Sequence, residues 1–239
     1  MTYVTTDLHG KYDKYIKLME LIKFSDKDTM YINGDICDRG EESAKIYLDI
    51  MSRSNNIFAI KGNHEVMAEV HLEHLLKEHH ENGINILELF SERDLWLWFE
   101  NGGDATVISL FDESEENRLR ILDFIKSLPY YRTVDVNGKH YVLVHGGLGD
   151  YQEGTKIEDV SRIDLVWSRP DFNDKYFEDD NTYLIVGHTP TFLLREMEQQ
   201  ATIFHGEGNV IAIDCGCVYP EHHGRLGCLC LETGEEFYV

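Results

Sequence analysis

Residues of the types that bind metal ions recur where short apolar segments of this chain end. Each segment stops at an aspartate, an asparagine or a histidine, and a glycine stands close by. In chain order these residues are Asp7 and His9, Asp35, Asn63 and His64, His145, and His188. Ligands of α/β proteins bind in the crevice at the carboxyl ends of the strands. The pattern therefore predicts that these imidazoles and carboxylates gather at one edge of a sheet.

The mixture of side chains indicates which ions such a site would take. Asp7 and His9 are two residues apart, and residues i and i+2 of an extended segment face the same side, so both can reach one ion. Histidine, aspartate and asparagine together suit manganese, iron or zinc better than calcium or magnesium. Two such ions ~3.5–4 Å apart would clamp the attacking and leaving oxygens of a phosphate ester.

Taken singly, each residue has a simpler explanation. An aspartate before a glycine is usually a turn residue, and Asn63 could cap the helix that follows it. A lone histidine at a strand end is more often structural than a ligand. The recurrence along one chain favours a shared metal site, because the simpler explanation needs the same coincidence each time.

The elements that position these residues follow from hydrophobic spacing and turn signals. Early strands alternate with helices and later strands form hairpins, one of them around Asn137-Gly138, which predicts an α/β sandwich with one or two mixed sheets. The predicted strands cover residues 3–6, 29–32, 57–60, 133–136, 140–144, 183–186, 210–214, 227–231 and 236–239. The predicted helices cover residues 12–23, 43–52, 66–80, 91–99 and 118–128.

The composition limits the classes of partner. The chain has 22 basic and 44 acidic residues among 239, and a net charge of −22 repels nucleic acid. Binding of an anion therefore requires local positive charge, from metal ions or arginines.

No stretch approaches the ~18 apolar residues of a membrane span, and we see no secretory signal, so we expect a cytoplasmic protein with no membrane partner. The odd number of cysteines argues against a disulfide framework.

The ordered sequence blocks around these residues resemble one family. They are TDLHG at 6–10, GDICDRG at 34–40, GNHE at 62–65, HGG at 145–147 and GHT at 187–189. Their order and spacing are similar to those of the phosphoprotein phosphatase family, which belongs to the calcineurin-like metallophosphoesterases. The segments LWFENGGDAT at 97–106 and IDCGCV at 213–218 resemble its bacterial branch. Thr6 departs from the pattern, because a glycine usually precedes the first aspartate.

The resemblance implies a fold and a cofactor. The implied fold is one α/β/β/α sandwich domain over residues 1–239, with two mixed sheets flanked by helices and a small helical insertion at about 72–128. The implied cofactor is a pair of metal ions, manganese or else iron or zinc. Asp7 and His9 would hold the first ion, Asp35 would bridge both, and Asn63, His145 and His188 would complete the second.

The resemblance also implies catalytic residues. His64 would be the general acid for the leaving oxygen, Asp38 would orient His64, and Arg39 would bind phosphate. A second phosphate-binding arginine is expected between the last two histidine blocks. Arg169 is the candidate, and Arg162 is the alternative.

The implied activity is hydrolysis of phosphomonoesters by direct attack of a metal-bridging hydroxide on phosphorus. The substrate would be a protein phosphorylated on serine, threonine or tyrosine, or a small phosphoester. A related branch hydrolyses dinucleoside polyphosphates such as diadenosine tetraphosphate, but it usually lacks an aspartate at the Asp38 position and carries aspartate where Glu65 stands. The alternative from another class is a catalytically inactive metal-binding interaction module. It predicts a missing ligand or acid, and none of these residues is missing.

Two further features are open to more than one interpretation. The pairs Cys215/Cys217 and Cys228/Cys230 allow a tetrathiolate zinc site if their strands form a hairpin, but packing as small apolar residues is favoured. Trp96 and Trp98, together with Phe99 and Leu95, are expected to pack inside the helical insertion and not to hold a substrate. The insertion is expected to overhang the cleft and to influence substrate preference.

Overall fold

The structure, a computed structural model, describes residues 1–82, 93–194 and 201–239. Within these residues the strands are β1 (Thr2–Thr5), β2 (Thr29–Ile32), β3 (Ile57–Ala59), β4 (Tyr131–Val136), β5 (Lys139–Val144), β6 (Thr182–Val186), β7 (Phe204–His205), β8 (Val210–Ala212), β9 (Gly227–Cys230) and β10 (Glu236–Tyr238). The helices are α1 (Tyr12–Leu21), α2 (Ser43–Ser52), α3 (Asn63–Asn82), α4 (Arg93–Glu100), α5 (Gly103–Phe111), α6 (Glu115–Ser127) and α7 (Arg162–Trp167). Short 3-10 helices cover Ile157–Asp159, Thr191–Leu194 and Pro220–His222.

The strands form two mixed sheets of five strands each. The first sheet has the order β10-β9-β1-β2-β3, and the second has the order β4-β5-β6-β8-β7. In the first sheet β1, β2 and β3 are parallel, and in the second β5, β6 and β8 are parallel. The remaining strands add antiparallel edges to both sheets.

Alternating side chains of each strand supply two apolar layers, because successive residues point to opposite faces. In β1, Val4 faces the space between the sheets, where it packs in one cluster with Ile185 and Ile211. Tyr3 faces the other way, into a cluster with the apolar faces of α1, α2 and α3. The outer face of the second sheet packs against Leu165 of α7. The result is a sandwich of two sheets with helices outside.

The predicted fold class is confirmed, and most predicted elements lie within one to three residues of the observed ones. Helix α3 begins at Asn63, three residues earlier than predicted, so Asn63 and His64 stand in its first turn. Helix α5 was not predicted, because the double glycine at 102–103 indicates a break in structure. Helix α7 has only six residues, too few to show a helical period. Residues 83–92 of the predicted insertion lie outside the described residues.

None of the helices within the described parts of the chain is long and apolar enough to cross a bilayer.

Candidate metal centre and phosphate site

The carboxyl ends of the parallel strands of both sheets meet at one edge of the sandwich. Asn33, directly after β2, joins the two sheets there, because its Nδ2 donates to the carbonyls of Val144 at 2.6 Å and Ile185 at 3.1 Å. A cavity of about 430 Å³ opens at this edge. The residues predicted from sequence that line it are Asp7, His9, Asp35, Arg39, Asn63, His64, Arg169 and His188.

The first group of ligand atoms lies at the ends of β1 and β2. His9 Nδ1 donates to the carbonyl of Cys37 at 2.9 Å, which turns the Nε2 atom toward the carboxylates. His9 Nε2 lies 3.8 Å from Asp7 Oδ1 and 3.8 Å from Asp35 Oδ2. Ligand atoms of His9, Asp35 and His64 all lie within 4.8 Å of one another. Side chains at this spacing can converge on one ion.

The second group shares Asp35 with the first. Ligand atoms of Asp35, His145 and His188 lie within 4.8 Å of one another. His145 Nδ1 donates to the Asn33 carbonyl, so its Nε2 faces Asp35 Oδ2 at 3.1 Å and Asn63 Oδ1 at 3.0 Å. The first group includes His64, which is predicted as the general acid and not as a ligand, and both groups contain the Asp35 carboxylate. A bridging ligand requires this arrangement.

These residues fit a pair of transition-metal ions. The Nε2 atom of His188 is buried and has no hydrogen-bond partner, an unfavourable state that a ligand bond would relieve. Carbonyl groups orient the rings of His9 and His145, as outer hydrogen bonds orient metal-binding histidines. The mixture of imidazole, carboxylate and amide donors suits manganese, iron or zinc.

The backbone is strained at the same positions. Asp7, His9, Asp35 and His188 have φ values of 53°, 43°, 52° and 64°, in the left-handed region that side chains with a Cβ atom disfavour. Such strain concentrates at functional sites, where the surrounding structure must hold it. Gly62 allows the closest approach, because a Cβ atom there would lie 2.0 Å from Asp35 Oδ1.

Burial and neighbouring charges set the protonation of these groups. Burial raises the pKa of Asp7 to about 7, with His145 opposing the shift and Asp35 adding to it. Burial lowers the pKa of His9 well below its usual range and that of His188 to about 3, so both rings are neutral at pH 7. Neutral imidazole is the form that binds metal ions. Burial opposes protonation of His145, but the nearby Asp35 carboxylate raises its pKa to about 10.

A hydrogen-bonded pair stands beside the ligand groups. His64 Nδ1 lies 2.7 Å from Asp38 Oδ2, and both side chains are buried. Asp38 also accepts hydrogen bonds from Trp98 Nε1 at 2.8 Å and Thr106 Oγ1 at 2.6 Å. We assign the Nδ1 proton to His64, because the carboxylate is an acceptor in its other contacts. His64 Nε2 then faces the cavity, 3.8 Å from Asp35 Oδ2.

Arg39 brings a positive charge to the same cavity. Its Nη1 donates to Tyr219 Oη at 3.0 Å, and its Nη2 lies 3.2 Å from His64 Nε2. Its backbone N–H donates to the Gly102 carbonyl at 2.9 Å. The planar guanidinium matches pairs of phosphate oxygens, so its position suits an anion that reaches the ligand groups.

The two candidates for the second arginine lie in different places. Arg169 is exposed and lines the cavity, and its charge is one of the influences that lower the pKa of His188, after burial and His145. The guanidinium of Arg162 lies instead 5.1 Å from the ring centre of Tyr130. The structure therefore favours Arg169.

Two carboxylates at the site have no role in the sequence interpretation. Asp214, just after β8, lines the cavity, and burial followed by the charge of Asp7 raises its pKa well above the usual range. It continues the pattern of a strand followed by a ligand-type residue near a glycine, so the same signal could have found it. Glu65 appeared only as a family marker, yet its buried carboxylate accepts hydrogen bonds from the backbone of Asp35 and Gly62.

The cysteine pairs and one histidine have ordinary packing environments. All five cysteines are free and buried. Cys215 lies in the layer between the sheets, whereas Cys217, Cys228 and Cys230 lie in the core under α1 and α2. The four thiols therefore belong to different layers, which favours apolar packing. His71 stacks on the Trp98 ring, with the ring centroids 5.3 Å apart. Trp98 is buried as predicted, but Trp96 is 46% exposed, so the prediction that Trp96 packs inside the insertion was wrong.

Known proteins resemble this chain in sequence and in fold. The family model of calcineurin-like phosphoesterases matches residues 2–215. The symmetrical bis(5'-nucleosyl)-tetraphosphatase of Wigglesworthia glossinidia brevipalpis is 38% identical over 65 residues, which cover 27% of this chain and 24% of that protein. The match therefore spans about a quarter of the relative.

Two solved structures share the fold over the whole chain. One is described as a candidate diadenosine tetraphosphatase, with a TM-score of 0.64, 14% identity and coverage of 100% of this chain and 92% of that one. The other is a protein serine/threonine phosphatase from Saccharomyces cerevisiae, with a TM-score of 0.62, 16% identity and coverage of 100% of this chain and 79% of that one.

The chain belongs to the calcineurin-like phosphoesterase family, because the family model matches nearly all of it. The resemblance read from the sequence blocks to the calcineurin-like metallophosphoesterases is therefore confirmed at the level of the family.

Proposed function

We propose that this protein is a phosphomonoesterase that removes phosphate from serine, threonine or tyrosine side chains of proteins. The observation that carries the proposal is the buried His64–Asp38 pair at two groups of metal-type ligand atoms, the first of which includes His64. A serine or threonine alkoxide is a poor leaving group, because it must gain a proton as the ester bond breaks. A histidine oriented by a carboxylate can supply that proton.

The residues that would hold two metal ions are Asp7, His9, Asp35, Asn63, His145 and His188. Ions bound there would neutralise phosphate charge and lower the pKa of a water molecule toward ~7. Arg39 and Arg169 would bind the non-bridging phosphate oxygens. His64 Nε2 would donate its proton to the leaving oxygen, and Asp38 would stabilise the imidazolium before the transfer. Tyr219 would keep the Arg39 guanidinium directed at the cavity.

The overall charge supports a role for these local cations. A net charge of −22 repels a phosphorylated substrate at long range. The arginines and the metal ions therefore have to provide the attraction at close range. This division fits a site that is open to an exposed phosphorylated side chain and has little general affinity for polyanions.

Hydrolysis of bis(5'-nucleosyl) tetraphosphates is a second candidate, and the likeness to the Wigglesworthia enzyme favours it. A nucleoside diphosphate leaves as a stabilised anion, so its departure depends less on a general acid. The buried support around Asp38 would then have little purpose, which is why we place ester hydrolysis first. An inactive binding module has less support, because the ligand and acid positions are all filled by suitable residues.

Phosphate release from phosphopeptides, measured beside cleavage of diadenosine tetraphosphate, tests the proposal. Both assays use manganese-loaded protein, and Asp35→Asn is the control that removes the shared ligand. We expect phosphopeptide turnover that the variant loses. Cleavage of the dinucleotide alone would assign the protein to the second candidate, and cleavage of neither substrate would refute both.

A further inference from the structure

We propose that Trp98 and Thr106 are positioning residues for the general acid. They stand on α4 and α5, in the helical segment between β3 and β4, and they fix the carboxylate that orients His64. The inference rests on the proposed function in one respect, namely that His64 gives a proton to the leaving group. It assigns a task in proton transfer to Trp98, which the sequence predicts only as a packing residue, and to Thr106, which the sequence does not single out.

Both oxygens of the Asp38 carboxylate accept hydrogen bonds. One oxygen, Oδ2, accepts from His64 Nδ1 at 2.7 Å and from Trp98 Nε1 at 2.8 Å. The other oxygen, Oδ1, accepts from Thr106 Oγ1 at 2.6 Å. The Thr106 hydroxyl accepts in turn from the Asp38 backbone N–H at 2.7 Å, so it holds both the side chain and the backbone.

The Asp38 backbone needs this support. Its φ of 69° lies in the left-handed region, which residues other than glycine adopt uncommonly. The side chain has no exposed surface, so water cannot replace a lost donor without a change in packing. A buried carboxylate that loses one of its donors is less well compensated and is held by fewer contacts, so its orientation is less fixed. A turn of Asp38 would remove the acceptor from His64 Nδ1 and let the imidazole leave its catalytic orientation.

The Trp98 indole is itself held in one position. It is fully buried, and the His71 ring stacks on it with centroids 5.3 Å apart and an interplanar angle of 14°. Gly103 lies so close to the indole ring that a Cβ atom on this glycine would be 2.4 Å from Trp98 Cδ2. The adjacent Gly102 carbonyl holds the Arg39 backbone at 2.9 Å. This one turn of chain therefore supports both the acid pair and the phosphate-binding arginine.

A simple packing role makes a different prediction. A tryptophan that only fills the core would, when replaced, reduce stability and lower turnover on every ester alike. A positioning role makes the loss depend on the leaving group, because an ester with a good leaving group needs no proton. The leaving-group dependence of the reaction therefore separates the two roles.

The test compares p-nitrophenyl phosphate with phenyl phosphate and a simple alkyl phosphate, which need no protein substrate. Trp98→Phe removes the N–H donor and keeps an aromatic ring, and Trp96→Phe on the same helix, at a side chain that is 46% exposed, is the matched control. We expect Trp98→Phe to lower kcat on the phenyl and alkyl esters on the order of tenfold, the loss for one hydrogen bond to a charged group. On p-nitrophenyl phosphate kcat should change less than about twofold.

A second pair of variants covers the case in which Trp98→Phe fails to fold. Thr106→Val deletes the hydroxyl at nearly constant volume, and Thr106→Ser restores it. We expect the valine variant to show the same leaving-group dependence and the serine variant to behave as wild type. In an Asp38→Asn background neither Trp98→Phe nor Thr106→Val should have a further effect on the ratio between esters.

A readout besides activity is the proton NMR signal of the His64 Nδ1–H group in zinc-loaded protein. The signal is identified by its absence in His64→Asn, and it should shift in Trp98→Phe and stay in place in Trp96→Phe. Equal losses on all esters, additive effects on Asp38→Asn, or an unmoved signal would overturn the proposal. Failure on phosphopeptides by a wild-type enzyme that still shows the leaving-group effect would refute only the proposed substrate.

Discussion

Glu65→Gln is the substitution that tests most directly how the ligand loops are held. The Glu65 carboxylate is fully buried. Its Oε2 accepts from the backbone N–H groups of Asp35 and Gly62, each at 2.8 Å. Its Oε1 accepts from the N–H groups of Ile36 and Cys37 and from the Tyr47 hydroxyl. A single acidic side chain thus satisfies the loops after β2 and β3, where the bridging carboxylate stands.

The magnitude follows from these contacts. A glutamine side chain has one oxygen acceptor. In its favourable orientation that oxygen takes the position of Oε1, which has more donors, and the NH2 group faces the N–H groups of Asp35 and Gly62. Two buried backbone donors then lack an acceptor, and each costs about 1–3 kcal/mol. The free energy of unfolding should fall by about 2–6 kcal/mol. In a chain of 239 residues each kcal/mol lowers Tm by about 2–4 °C, so we expect a loss on the order of 5–20 °C.

The assay is thermal unfolding followed by circular dichroism, with and without a chelator, together with metal content. Glu73→Gln on the same helix is the matched control. Its carboxylate forms an ion pair with Lys126 at 3.0 Å, and both side chains are 37% exposed. A surface pair of this kind contributes about 0–1 kcal/mol. A Tm of Glu65→Gln within about 1 °C of wild type would refute the reasoning, because two unpaired buried donors should destabilise the fold by more than that.

Three further outcomes are expected. Gly62→Ala should lower turnover about 10²-fold and reduce metal content, because the new Cβ would lie 2.0 Å from Asp35 Oδ1. Gly154→Ala should keep turnover and metal content, because no atom lies within 4 Å of its new Cβ, and the strain of alanine at a φ of 86° should lower only the stability. Arg169→Ala should raise KM for phosphoesters in steady-state assays, whereas Arg162→Ala should not, because Arg169 lines the cavity and Arg162 lies against Tyr130. Chelation should abolish activity and lower Tm, since the buried carboxylates lose their counter-charge, and added manganese should restore both.

The strand ends and most residues around the cavity were predictable from the sequence, because strand ends carry a local signal. A run of apolar residues that stops at Asp35 or His145 is visible within a few positions. The topology then brings these ends together, since parallel strands of one sheet end at the same edge. Asp214 shows the same signal and was missed only because its sequence block was read as a mark of the family.

The residues that hold the site were harder to predict, because their partners are distant in sequence. Asn33 joins the sheets through carbonyls more than a hundred residues away, and nothing near Asn33 indicates the second sheet. Helix α5 was missed because a double glycine usually ends structure. Here those glycines let the chain pass close to the Trp98 indole and to Arg39. In the sequence this glycine pair indicates the end of a helix, whereas in the fold it allows two segments to pack closely.

Buried hydrogen bonds hold this site because its carboxylates repel one another. A cluster of carboxylates in a chain of charge −22 is held together against repulsion. Metal ions can offset that repulsion only if the carboxylates are already in place to bind them. Glu65 fixes the loops that carry the ligands, and Trp98 and Thr106 fix the carboxylate that serves the acid. Loss of one of these hydrogen-bond partners should therefore damage the site before it unfolds the domain, which comparison of Tm with leaving-group dependence in the same variants can measure.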